Sequence, residues 1–219
     1  MDGSFYTGIL YPFQDLVLQV VDQSETEFYL SGGTAASRGY LQHRFSDDLD
    51  LFVNDRREFS LWADRVIQGL AKDGEWSVSV GLKEERFVRL LVDSGDVELK
   101  VEMINDVPAH CGELRQHEVL GLLDSGENIL ANKVTAVLDR EEPKDLADIW
   151  GFCVVAGLSL EEALHNADSK AAGIFPADLA RVLCSVTQAD HDLIRWQIDP
   201  GFEQFREGLK GLGESLLLV

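Results

Sequence analysis

Apolar residues along the chain change period near its middle, and the change separates two kinds of structure. Leu16, Val17, Val20 and Val21 recur at helical spacing and predict an amphipathic helix over roughly residues 12–25. Phe28-Tyr29-Leu30 predicts a short buried strand that runs into Ser31-Gly32-Gly33-Thr34, and Leu49–Val53 predicts a second. Phe59, Trp62, Val66, Ile67 and Leu70 mark another helix, closed by Gly74. From Trp76 the period becomes two: Trp76–Val80, Phe87–Val92 and Val97–Ile104 alternate, with Asp93-Ser94-Gly95-Asp96 as the turn between the last two. Beyond residue 110 only helices are predicted, around Ile129–Leu138, Leu146–Val155, Ser159 onward, Pro176–Leu183 and Phe202–Leu218. Pro143 stands near one first turn, and Ser159-Leu160-Glu161-Glu162 has the pattern of a capping box. The expected fold class is α+β: a mixed β-sheet with flanking helices over residues 1–110, then an all-helical region over 111–219.

Composition narrows the classes of function. Of 219 residues 45% are hydrophobic, which is enough for a sizeable core and excludes a low-complexity disordered chain. No apolar run approaches the ~20 residues that span a bilayer, and the first residues lack a basic segment, so neither a membrane span nor a signal peptide is expected. Cys111, Cys153 and Cys184 are odd in number and widely spaced, as free thiols in a reducing compartment would be, and a cytoplasmic location is expected. Charge is the unusual quantity: 39 acidic against 19 basic residues give a net −20. The first 110 residues carry 20 acids and 10 bases and the remainder 19 and 9, so the excess is not confined to a tail. Such a chain repels polyanions, and to handle phosphates it needs metal ions or a few well-placed bases.

One stretch carries candidate chemistry. Gly32 and Gly33 follow a strand and precede a helix, where backbone N–H groups can face an anion, and Thr34 adds a hydroxyl. Asp48 and Asp50 are two apart on a short apolar strand, so both carboxylates leave the same face. Like charges so placed cost free energy unless a cation sits between them, and hard oxygen ligands suit Mg²⁺. Asp47 points elsewhere or caps the strand entry. On Val97–Ile104 the residues Glu98, Lys100 and Glu102 share the polar face, and Glu102, in preference to Glu98, is placed to complete a three-carboxylate metal site. The plain alternatives are a tight turn at the glycines, a solvated turn at Ser46-Asp47-Asp48 and a wet edge strand.

Gly32-Gly33-Thr34-Ala35 followed by Arg44-Phe45-Ser46-Asp47-Asp48-Leu49-Asp50 resembles the first motif of the DNA polymerase β-like nucleotidyltransferase superfamily. Its GGTA start and R-x-S-x-D-L-D ending are similar to the AbiEii/AbiGii abortive-infection toxins. Lys133-Val134-Thr135-Ala136, then Arg140, then Pro143-Lys144-Asp145-Leu146-Ala147-Asp148 is similar to that family's K-x-x-A…R…P-K-D-x-x-D signature. The resemblance implies a sheet of nucleotidyltransferase type and an enzyme that moves a nucleoside monophosphate from an NTP to an acceptor hydroxyl with two Mg²⁺ ions. It implies that Gly32, Gly33, Thr34 and Ser46 lie at the triphosphate, that Asp48 and Asp50 bind metal, and that Glu102 is the third carboxylate. Lys133 would contact the triphosphate, and Asp145 or Asp148 would orient that lysine or the nucleotide. The implied acceptor is RNA or tRNA in a toxin–antitoxin or abortive-infection setting, with an antitoxin protein as partner. The acidic composition keeps open a small-molecule acceptor of aminoglycoside type or a protein hydroxyl, and a catalytically silent NTP-binding or partner-binding module stands beside them.

Overall fold

The computed structural model describes residues 3–72, 76–140, 142–171 and 173–217, so Gly74 and the end of the last helix at Leu218 lie outside the described residues. The chain forms two compact units: one comprises residues up to Ala35, Ser46–Pro108 and Glu113–Asp124, the other Ala36–Phe45, Ala109–Gly112 and Ser125 onward.

The first unit is built on a seven-stranded mixed sheet. Its strands are β1 (Tyr29–Ser31), β2 (Leu49–Asn54), β3 (Ser77–Lys83), β4 (Phe87–Asp93), β5 (Glu98–Asp106), β6 (Arg115–His117) and β7 (Gly121–Leu123), in the order β3-β4-β5-β2-β1-β7-β6. β2 runs parallel to β5, and β1 parallel to β7; the other neighbours are antiparallel. Strict alternation does the sorting. Leu49, Leu51 and Val53 of β2, Val88, Leu90 and Val92 of β4, and Leu99, Val101 and Met103 of β5 are all buried. Asp50, Lys100 and Glu102 occupy the intervening, half-open positions. The turn after β4 is closed by Gly95 at φ +88°, with the Asp93 carboxylate accepting its N–H at 2.7 Å. β6 and β7 are strands that the apolar periodicity does not predict: Arg115-Gln116-His117 has none, and three residues are too few to show a period.

Two helices of this unit pack on each other, Tyr11–Asp22 and Phe59–Lys72. The first is preceded by helical turns from Gly3, earlier than the apolar pattern suggests. Its buried stripe is Phe13, Gln14, Val17, Leu18 and Val21, while Leu16 lies exposed. Gln14 is thus a fully buried polar residue on an otherwise apolar face.

The second unit is helical. After Ala35–Leu41, a π-type turn sequence, come helices Gly126–Arg140, Pro143–Trp150, Leu160–Asp168, Pro176–Cys184, Gln188–Leu193 and Phe202–Ser215. Pro143 is at a first helical position, with Glu142 extended before it. Ser159 accepts a hydrogen bond from the Glu162 N–H, one half of the expected capping box; both halves are present at Thr187 and Asp190. Trp150, Trp196 and Phe205 make a mutual edge-to-face cluster with centroids 5.3 to 6.2 Å apart. Among the described residues no helix is long and apolar enough to cross a membrane.

Leu99 on β5 is fully buried, so Leu99→Ala is expected to lower the unfolding free energy by about 2–5 kcal/mol in urea titration. Val80→Thr on the exposed edge strand is expected to change it by less than about 0.5 kcal/mol.

Candidate active site

β2 and β5 pair in parallel with Asp50 directly opposite Glu102. The next strands extend the line, for Glu102 faces Arg89 of β4 and Asp50 faces Ser31 of β1. Register therefore sets Arg89, Glu102, Asp50 and Ser31 in one row across the sheet, on the face that alternation leaves polar. Asp48 lies two residues before Asp50, and its carboxylate is 2.9 Å from the Lys100 ammonium. Lys100 is also 3.6 Å from Glu102, whose same oxygen accepts from Arg89 Nε at 2.7 Å.

Gly32, directly after the Ser31 end of the row, has φ +65°, and a Cβ there would overlap the Asp50 carboxylate, whose Cγ would lie 2.9 Å away. Only glycine permits both this backbone conformation and so close an approach. Ser31 itself donates to Asp124 of the segment that follows β7 at 2.6 Å. Gly33 lies in the same helical turn, Gly32–Thr34. Thr34 is fully buried, and its hydroxyl donates to the Asp48 carbonyl at 2.5 Å, tying the glycine turn to the aspartate loop.

Ser46 and Asp47 are held by the N-terminal helices. Gln14 Nε2 donates to the Asp47 carbonyl at 2.9 Å and to the Ser46 carbonyl at 3.3 Å. Tyr6 donates to the Asp47 carboxylate at 2.8 Å, and Tyr11 Oη accepts from the Ser46 N–H at 3.3 Å. The Asp47 carboxylate is thus engaged by Tyr6 of the N-terminal helical turns. A lone glutamine inside an apolar helical stripe is the one signal in the sequence that points to this anchoring.

The carboxylates present hard oxygen donors from adjacent strands, and one cation, the Lys100 ammonium, already lies within reach of both Asp48 and Glu102. That arrangement fits a divalent ion in kind and charge. Among the described residues, however, no three His, Cys, Asp or Glu side chains converge as a metal-ligand set. Lys100 stands among the carboxylates instead. Burial works against its charge, but the hydrogen bond and the charge of Asp48, with Glu102 and Asp50 beyond, raise its pKa on balance.

In the second unit Lys133, Asp145 and Asp148 meet inside a buried ionic cluster. Lys133 Nζ is 2.7 Å from both Asp145 and Asp148. Arg140, seven residues along the same helix, reaches Asp145 through Nε at 2.8 Å and Nη2 at 3.1 Å. Arg44 grips Asp148 with two bonds of 2.7 Å, and His43 Nε2 lies 3.0 Å from the same carboxylate. Both aspartates are fully buried, and Lys133 is 5% exposed. Burial pushes the Asp148 carboxyl up, but Arg44 and Lys133 beside it hold it well below the usual range. Asp145 is lowered in the same way by Lys133 and Arg140 against its burial. Burial likewise opposes the Lys133 charge, and Asp148 and Asp145 outweigh it and raise the pKa.

The backbone around Arg44 is pinned as well. Arg44 bridges Trp196, Phe45 N–H donates to the Arg195 carbonyl at 2.8 Å, and the His43 carbonyl accepts from Gln197 N–H at 2.9 Å. Ser37 Oγ donates to the Arg44 carbonyl. Arg44 stands in the first motif and Lys100 on the polar face of its strand, but nothing in their spacing assigns them these partners.

The model of the nucleotidyl transferase AbiEii toxin family, of the type IV toxin–antitoxin systems, matches residues 16–215. The chain is 25% identical over 193 residues to the uncharacterized protein aq_aa25 of Aquifex aeolicus, covering 84% of this chain and 85% of that protein. Its fold is similar to that of MenT4, the nucleotidyltransferase toxin Rv2826c of Mycobacterium tuberculosis, with TM-score 0.65, 17% identity and coverage of 96% and 84% of the two chains. JHP933 of Helicobacter pylori is similar too, with TM-score 0.62, 18% identity and coverage of 94% and 90%. The chain belongs to the AbiEii nucleotidyltransferase toxin family and is a nucleotidyltransferase.

Removing one partner from a buried ion pair leaves an uncompensated charge. Asp148→Ala is therefore expected to destabilise the protein by about 3–5 kcal/mol. Because the folded carboxyl titrates below its unfolded value of ~3.9, its contribution is present above that pH and is lost as pH falls toward the folded value. Urea midpoints of the wild type, followed downward from neutral pH, are expected to fall more steeply below about pH 4 than those of Asp148→Asn.

Proposed function

We propose that this member of the AbiEii family transfers a nucleoside monophosphate from an NTP to an acceptor hydroxyl at the row formed by Asp48, Asp50 and Glu102. The single observation that carries this reading is the direct pairing of Asp50 with Glu102, with Asp48 just before the strand and ion-paired to Lys100 of β5. Divalent metal, in the two-ion form with Mg²⁺, would neutralise charge on the attacking and leaving oxygens when bound between these carboxylates.

In the reaction the acceptor oxygen forms a bond to the α-phosphorus, the bond to the β-phosphate oxygen breaks, and pyrophosphate leaves. Glu102 takes the hydroxyl proton. Gly32 and Gly33 offer backbone N–H groups toward the triphosphate, where the missing Cβ at Gly32 permits close approach. Thr34 and Ser46 act as supports of the glycine turn and of the aspartate loop, a role their observed bonds favour. For Lys133 we propose the triphosphate-directed charge that the motif resemblance implies, with Asp145 and Asp148 fixing its side chain.

The acceptor proposed is RNA, with tRNA foremost, in a toxin–antitoxin setting where a cognate antitoxin protein is the partner. The net charge of −20 favours a second reading, a polycationic small molecule, because an acidic body attracts such an acceptor and repels RNA.

Asp48→Ala and Asp50→Ala are each expected to lower transfer of labelled NMP by at least about a hundredfold, as loss of charge stabilisation at the reacting phosphate does, while the thermal unfolding transition remains cooperative. Retained transfer in either variant contradicts the proposal. Incubation of each labelled NTP with Mg²⁺ and separate RNA, protein and aminoglycoside pools is expected to place the label in RNA. Label in the aminoglycoside pool alone selects the second reading.

A further inference from the structure

Lys100 differs from the other ion-paired lysines of the first unit. It sits on β5 two residues before Glu102, so alternation aims it at the carboxylate row and away from the core. Its ammonium is 2.9 Å from Asp48 Oδ2 and 3.6 Å from Glu102 Oε1, and it is only one-third exposed. Arg89 lies on the other neighbour of Glu102, across β4. Asp48 and Glu102 are thus met by two cations of the chain itself.

The same oxygens would ligate a divalent ion at about 2.0–2.1 Å if it were Mg²⁺. An ammonium hydrogen-bonded to one of those oxygens would then stand within a few ångströms of a doubly charged ion, and the two repel. Asp48 cannot serve both cations at full strength. We infer that Lys100 is the resident counter-cation of the carboxylate row and competes with divalent metal for Asp48 and Glu102. It holds the row together before metal enters and sets the metal concentration at which the row fills. This rests on the reading of Asp48 as a metal ligand given above.

The test is a titration of the full-length protein with Mn²⁺ alone, followed by the electron paramagnetic resonance signal of the free ion. Lys100→Met is expected to bind Mn²⁺ about tenfold more tightly than wild type, the change one neighbouring charge commonly makes. Lys100→Arg, which keeps the charge, is expected to bind as wild type does, and Asp48→Asn to lose binding. In the absence of metal, Lys100→Met is expected to melt below wild type and to recover with Mn²⁺. Lys100→Gln serves as a second neutral variant should the methionine form fail to fold. Mn²⁺ affinity in the neutral variants equal to or weaker than wild type, with binding lost in Asp48→Asn, overturns the competition and leaves the proposed function standing. Binding by Asp48→Asn equal to wild type overturns the assignment of Asp48 as ligand, and the competition with it.

Discussion

Carboxylates brought together on a protein repel one another, and a chain that gathers them must supply positive charge at the same place. Both units of this enzyme are organised around that constraint. On the sheet Asp48, Asp50 and Glu102 are assembled by strand register and met by Lys100 and Arg89. In the helical unit Asp145 and Asp148, three residues apart on one helix, are met by Lys133, Arg140 and Arg44. The solutions differ in solvent. The sheet row is partly open to solvent, whereas the Asp145 and Asp148 carboxylates of the helical cluster are fully buried.

Arg44 is clamped to Asp148, and the backbone of its neighbours His43 and Phe45 is bonded to residues 195, 197 and 198. Two residues further on, Ser46 and Asp47 are held by Gln14 and Tyr6, and Asp48 by Thr34. Each residue from His43 to Asp48 therefore has a hydrogen bond that limits its freedom. Preorganisation of this kind matters wherever a loop carries reacting groups, since misplacement by about 1 Å costs catalysis heavily.

Much of this was legible in the sequence, and the exceptions have physical reasons. Period-two alternation in β2, β4 and β5 assigned the buried and polar faces, because a strand offers only two directions to a side chain. The placement of Asp50 and Glu102 on polar positions followed from it, but the register that sets them opposite each other did not, since they lie 52 residues apart in the chain. Lys100 shares that face in the sequence as plainly as Glu102, yet alternation says nothing of which charges touch. β6 and β7 were too short to carry a period. The partnership of Arg44 with Asp148 joins residues 104 apart, a separation no local pattern can report. Gln14 carried a signal, a polar residue on an apolar helical face, whose partner only the fold identifies.

The acidic excess also divides into parts with different meanings. Asp48, Asp50 and Glu102 face cations at the site, and Asp145 and Asp148 are neutralised inside the helical unit, but most of the −20 remains on the exterior. The reaction is tested most directly by offering the protein one NTP in two forms, labelled at the α-phosphorus or at the γ-phosphorus, with Mg²⁺ and acceptor. Nucleotidyl transfer predicts that the α-label enters the acceptor while the γ-label leaves as pyrophosphate. Entry of the γ-label into the acceptor, with the α-label left on nucleoside diphosphate, would contradict it.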